Sequence, residues 1–134
     1  MKTAAVALPN LERSIRVLIV DDEAPFTEMV RALLEVEQGI EVVGAAADGK
    51  QAVKLALQLA PDVILMDISM PVMNGLDATR EIREEDPTAN VLILTGSLNT
   101  AEVDRARTLG AAGYLTKDRI AGELVAEIRC FGAE

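Results

Sequence analysis

The sequence predicts an α/β fold built on one doubly wound parallel sheet, five strands alternating with five helices. Three observations lead there. Short, continuously apolar runs rich in Val and Ile recur along the chain, as strands buried on both faces require. Between them lie stretches with apolar residues at helical spacing. The connections are as short as those of βα units, and no internal repeat or low-complexity tract interrupts the alternation.

Residues 1–13 show no clear periodicity and contain Pro9-Asn10; they read as a leading segment before a domain over 14–134. Arg16-Val17-Leu18-Ile19-Val20 is the first strand, stopped by Asp21-Asp22-Glu23. Pro25 suits a first helical turn. Phe26, Met29, Val30, Leu33 and Leu34 share one face of that helix, and Gly39 follows as its stop. Ile40 to Ala46 is the second strand. Asp48-Gly49 is a turn, Ala52, Leu55, Ala56 and Leu59 mark a second helix, and Pro61 ends it. Val63-Ile64-Leu65-Met66 is the third strand, ending at Asp67. A loop with Pro71 and Gly75, whose plainer reading is a turn glycine of positive φ, leads to a short charged helix from Leu76 to Glu85, closed by Asp86-Pro87. Val91-Leu92-Ile93-Leu94 is the fourth strand, ending at Thr95. Asn99 or Thr100 caps a helix through Leu109, with Gly110 just past its end. Gly113-Tyr114-Leu115 is a brief fifth strand before Thr116-Lys117. Asp118 is placed to cap a last helix carrying Ile120, Leu124, Ile128 and Phe131 on one stripe.

Composition narrows the chemistry. With 134 residues, the chain can bury a core without disulfides or metals. Acids outnumber bases 22 to 13, for a formal net charge of −9, the wrong sign for gripping a phosphate backbone. Phe26, Tyr114 and Phe131 are the only aromatics, too few for base-stacking platforms, so no direct nucleic-acid binding is expected of this chain. Histidine is absent, which removes imidazole bases, ligands and phosphohistidine. Cys130 stands alone, so neither an intramolecular disulfide nor a cysteine zinc site can form, and a reducing, cytoplasmic setting fits. No apolar run approaches the ~20 residues of a membrane span, and Met1 to Ser14 lacks a signal-peptide core. No membrane partner is expected.

The remaining polar chemistry gathers at strand ends. Strand one ends at Asp21 and Asp22, strand three at Asp67, strand four at Thr95, and strand five leads into Lys117. In a doubly wound sheet these positions converge where ligands bind. Three carboxylates and one ammonium leave a negative surplus that a divalent cation would balance. Oxygen ligands without His or Cys point to Mg²⁺. A hydroxyl and an ammonium beside it are phosphate ligands, and an Asp can act as a nucleophile towards phosphorus. Taken singly, each residue has a plainer explanation. Asp21 and Asp22 suit a helix cap, Asp67 and Thr95 suit turns, Lys117 suits a solvated lysine and Tyr114 a half-buried strand position. Their coincidence in order is what carries the reading.

That constellation resembles the receiver domain of two-component response regulators. The segments that carry it are Val-Leu-Ile-Val-Asp-Asp-Glu at 17–23, Leu-Met-Asp-Ile-Ser-Met-Pro-Val-Met-Asn-Gly at 65–75, Leu-Ile-Leu-Thr-Gly at 92–96 and Gly-Tyr-Leu-Thr-Lys-Asp at 113–118. The likeness covers roughly Ile15 to Phe131 and is similar to the LuxR/FixJ type, which precedes a helix-turn-helix domain. It implies a flavodoxin-like (βα)5 fold with strand order 2-1-3-4-5. It implies Asp67 as phosphoacceptor, with Mg²⁺ held by Asp22, Asp67 and the Ser69 carbonyl, and by Asp21 largely through water. Lys117 and Thr95 would contact the phosphoryl oxygens, and Gly96 would leave room for the group. Thr95 and Tyr114 would act as the switch, altering the face of the fourth helix, fifth strand and fifth helix. Ser69 and Ser97 occupy positions that modulate phosphoryl lifetime in the family. The family often follows the lysine with a cis proline. Here Asp118 follows, and a cis bond without proline costs about 2.5–4 kcal/mol.

The implied partner is a sensor histidine kinase or phosphotransfer protein, with catalysis confined to the chain's own phosphorylation and dephosphorylation. A phosphorylation-dependent homodimer is left open. A DNA-binding output domain outside this chain is the expectation, a stand-alone phosphoryl shuttle the alternative. A haloacid-dehalogenase-type phosphohydrolase also uses Asp, Mg²⁺ and Lys. Its signature needs a second Asp two residues after the nucleophile, where Ile68-Ser69 follows Asp67 here.

Overall fold

The computed structural model describes residues 13–96 and 99–132. All of the expected leading segment except Arg13 lies outside them, as does Ser97. The elements run β1 (Ile15–Val20), α1 (Ala24–Glu35), β2 (Ile40–Ala46), α2 (Gly49–Leu59), β3 (Val63–Asp67), α3 (Gly75–Glu85), β4 (Val91–Thr95), α4 (Thr100–Thr108), β5 (Gly113–Thr116) and α5 (Ile120–Gly132), with a 3-10 turn at Lys117–Arg119. The strands pair in parallel in the order β2-β1-β3-β4-β5, as expected.

Strand alternation sends successive side chains to opposite faces of the sheet, and each face has its own core. Leu18, Val20, Ile64, Met66 and Ile93 pack with Ala52 and Ala56 of α2, Leu76 and Ile82 of α3, and Ala106 of α4. Val17, Ile19, Leu65 and Leu94 pack with Val30 and Leu34 of α1 and with Ile120, Leu124 and Ile128 of α5. Fully burying each such Leu or Ile contributes about 1.5–3 kcal/mol. Both faces being covered explains why the strands read as unbroken apolar runs.

Local chemistry sets the helix ends. Asn99 caps α4 by accepting from the amides of Ala101 and Glu102, and Gly110 follows at φ 98°. Asp48 caps α2 by accepting from Gln51 N at 2.8 Å, so it starts a helix rather than merely turning the chain. That helix ends at Ala60 with φ 46°.

Four expectations are corrected. Met29 is 46% exposed, because the buried face of α1 centres on Thr27, Val30 and Leu34. Val36 closes α1, and Gly39 (φ 82°) instead turns the chain into β2. Asp118 lies inside the 3-10 turn and does not cap α5. Gly75 is not a positive-φ glycine; among the described residues those are Gly39 and Gly110. The described residues contain no cis peptide, so the Lys117–Asp118 bond is trans.

Candidate functional site

Parallel register brings the carboxyl ends of four strands to one edge. Val20 lies beside Met66, Asp67 beside Leu94, and Thr95 beside Thr116. The residues that follow these strands therefore meet, although Asp21 and Lys117 are 96 positions apart. Asp22, Asp67, Ser69, Thr95 and Lys117 line one cleft, with Asp21 beneath it, buried and bonded to the lysine. The structure thus brings together Asp21, Asp22, Asp67, Ser69, Thr95 and Lys117 at one sheet edge.

The three carboxylates differ in setting. Asp21 extends the sheet, its amide donating to Ala46 O, and is 4% exposed. Its Oδ1 accepts from the Glu23 amide and its Oδ2 from Lys117 Nζ, at 2.8 and 2.7 Å. Asp67 is buried at the end of the central strand, whereas Asp22 faces solvent. One oxygen from each of the three lies within 4.8 Å of the others.

Electrostatics follow from that crowding. Burial, and then the neighbouring Asp21 charge, push the Asp67 carboxyl up to about 6 from 3.8, against the opposing pull of Lys117 and the Ile68 amide. Burial alone would lower the Lys117 ammonium, but its hydrogen bond to Asp21 and the charge of Asp67 outweigh this, and its pKa is raised. Lys117 Nζ lies 3.4 Å from Asp67 Oδ1 and 3.7 Å from Glu23 Oε1. One ammonium does not balance this many carboxylates. The residual negative charge and the close-set oxygens fit a hard, oxygen-ligated divalent cation.

Tyr114 stands apart from the acids. It is half-buried on β5, packs against the core beneath α2, α3 and α4, and borders a neighbouring cleft that shares Gly96 with the first. Sequence reasoning missed several neighbours. Asn99, the cap of α4, Glu102 within that helix, and Glu23 line the acid cleft. The Phe26 ring centroid lies 4.1 Å from Lys117 Nζ.

Comparison with known proteins agrees with this geometry. The transcriptional regulatory protein DegU of Brevibacillus brevis is 39% identical over 118 residues, covering 88% of this chain and 50% of DegU. A protein-glutamate methylesterase/protein-glutamine glutaminase of Geobacter metallireducens is 40% identical over 112 residues, covering 83% of this chain and 31% of that protein. The chain thus spans half or less of these relatives. A crystal structure of a LuxR-family two-component response regulator from Aurantimonas superimposes with a TM-score of 0.85 at 38% identity, covering 90% of this chain and 86% of that one. Residues 17–129 match the response regulator receiver domain. That match contains every strand end described above, and the chain belongs to the response regulator receiver domain family.

Proposed function

We propose that Asp67 accepts a phosphoryl group from a phosphohistidine on a sensor histidine kinase or phosphotransfer protein. The observation that carries this is the setting of Asp67. It is a buried carboxylate at the end of the central strand, 3.4 Å from Lys117 and within 4.8 Å of two further acids. An oxygen of Asp67 forms the new bond to phosphorus as the bond from phosphorus to the donor nitrogen breaks, and the imidazole leaves with its electron pair. Lys117 holds the phosphoryl oxygens, and the Thr95 hydroxyl donates to one of them. Asp21, Asp22, Asp67 and the Ser69 carbonyl are the groups suited to Mg²⁺, which when bound offsets the negative charge of the acids and the incoming phosphate.

Phosphorylation replaces one carboxylate charge with roughly −2 and adds acceptor oxygens. Moving a two-state equilibrium from about 1:99 to 99:1 takes ~5.5 kcal/mol. A few charge-assisted hydrogen bonds of ~1.5–3 kcal/mol each supply that. Thr95, at the end of β4, and Tyr114, two register positions back on the adjacent β5, are the proposed relay to the α4-β5-α5 face. The likeness to DegU and to the LuxR-family structure supports a transcriptional output, through a DNA-binding domain outside this chain. The methylesterase relative shows that similar chains join other outputs, and the open reading frame beyond residue 134 decides between them.

The test is incubation with acetyl phosphate and Mg²⁺, read by intact mass. One added phosphoryl group is expected, absent in Asp67→Asn. No adduct from acetyl phosphate or a cognate kinase would refute the proposal.

A further inference from the structure

We infer that Phe26 is a positioning residue for phosphoryl transfer, seating the Lys117 ammonium over its ring. This rests on the assignment of Asp67 and Lys117 above. Phe26 projects from the first turns of α1, half-buried, with one side against the core that α1 and α5 share. Its ring centroid is 4.1 Å from Lys117 Nζ. The lysine side chain is 18% exposed. Its ammonium is therefore held between carboxylates, with Asp21 Oδ2 at 2.7 Å and Asp67 Oδ1 at 3.4 Å, and an aromatic surface.

The ring does what a further carboxylate could not. A cation over an aromatic face is attracted by the ring quadrupole, more strongly when both are shielded from water. That attraction adds no charge and no competing ligand to a cleft already rich in acids. The Asp21 and Asp67 carboxylates, whose oxygens now hold Lys117, belong to the group of acids suited to a divalent cation. As those oxygens are drawn to a metal or to phosphorus, the hold of Asp21 and Asp67 on the ammonium weakens, and the ring keeps it at the mouth of the cleft. Phe26 is thus more than core packing, since an aliphatic residue would fill the same boundary without holding a cation.

Three variants separate the two roles. Phe26→Leu keeps apolar packing and loses the quadrupole, Phe26→Trp keeps the quadrupole, and Phe26→Leu/Lys117→Gln completes a double-mutant cycle with Lys117→Gln. Two readouts are taken. In metal-free protein, NMR should show the Lys117 ε-methylene protons shifted upfield by the ring current, a shift lost in Phe26→Leu and kept in Phe26→Trp. With Mg²⁺ and acetyl phosphate, Phe26→Leu should be phosphorylated about three- to tenfold more slowly, as expected for losing a partly desolvated cation–π contact. Phe26→Trp should stay near the parent rate, and the Leu effect should vanish in the Lys117→Gln background. An ordinary ε-methylene shift in the parent, or equal slowing by Leu and Trp, or slowing that persists without Lys117, overturns the inference. A parent that is not phosphorylated at all overturns the Asp67 assignment and this inference with it. A phosphorylated parent matched by Phe26→Leu overturns the inference alone.

Discussion

Gly75 packs its bare α-carbon against the backbone carbonyl of Asp67 so closely that a Cβ there would overlap the oxygen. Its amide also donates to Ile68 O at 2.8 Å. The start of α3 is thereby pinned to the end of the central strand. Gly75→Ala must displace one of them, and a loss of about 2–4 kcal/mol is expected, with slower phosphorylation. Gly122→Ala is the contrast: α5 leaves open space at that position, and a gain of about 0.5–1 kcal/mol is expected from helix propensity. Thermal melts of both variants check this; similar effects at the two sites would contradict the close-approach argument.

The raised Asp67 carboxyl predicts an unusual pH profile. Its value is about 6 in the fold against 3.8 ordinarily. Between those values the folded chain holds more protons than the unfolded one, so metal-free stability falls as pH rises through that window. Asp67→Asn removes this penalty and should be the more stable protein at about pH 7, by at most ~3 kcal/mol. The advantage should close below about pH 4. Metal-free melts across the range measure it; a variant no more stable at neutral pH would count against the crowding of Asp21 and Asp67.

Mg²⁺ should raise the melting temperature, by about 2.7 kcal/mol of stability at a hundredfold excess over its dissociation constant. Asp22 is exposed, so Asp22→Ala should leave the metal-free melt within ~0.5 kcal/mol of the parent while losing most of the metal-induced gain. Equal gains in parent and variant would remove Asp22 from the ligand set.

Val72 holds φ 69° in the loop after Asp67 and is 78% exposed. A β-branched residue in the left-handed region is strained and here buries little in return. Val72→Gly should stabilise the protein by about 0.5–1 kcal/mol, the relief being partly offset by the freer unfolded chain. Denaturant midpoints decide it, and a destabilised variant would mean that Val72 makes contacts outweighing the strain.

How much of this was legible in the sequence depends on range. Strands buried on both faces announce themselves, so the ends of β3 and β4 stand where the apolar runs put them. Asn99 and Gly110 were readable because caps depend on neighbouring residues. Met29 misled because helical spacing names a stripe without its edges. Gly75 misled because its reason for being glycine is a carbonyl eight positions earlier. That Asp21 is buried while Asp22 is exposed depends on which side of the sheet edge each faces, and two adjacent identical letters cannot say. The ring beneath Lys117 depends on α1 approaching the 3-10 turn that follows β5, which no local spacing specifies.

The 96 positions between Asp21 and Lys117 bear on how the site comes into being. During synthesis the acids are made first, and four strands can be paired before the fifth is complete. Until then Asp21, Asp22 and Asp67 face one another without their cation. The strand that delivers it, β5, is short and sits at the sheet margin, paired on one side to β4. The last strand translated therefore brings in, just past its end, the ammonium that offsets part of the acids' charge, and the cleft is complete only when that strand has paired.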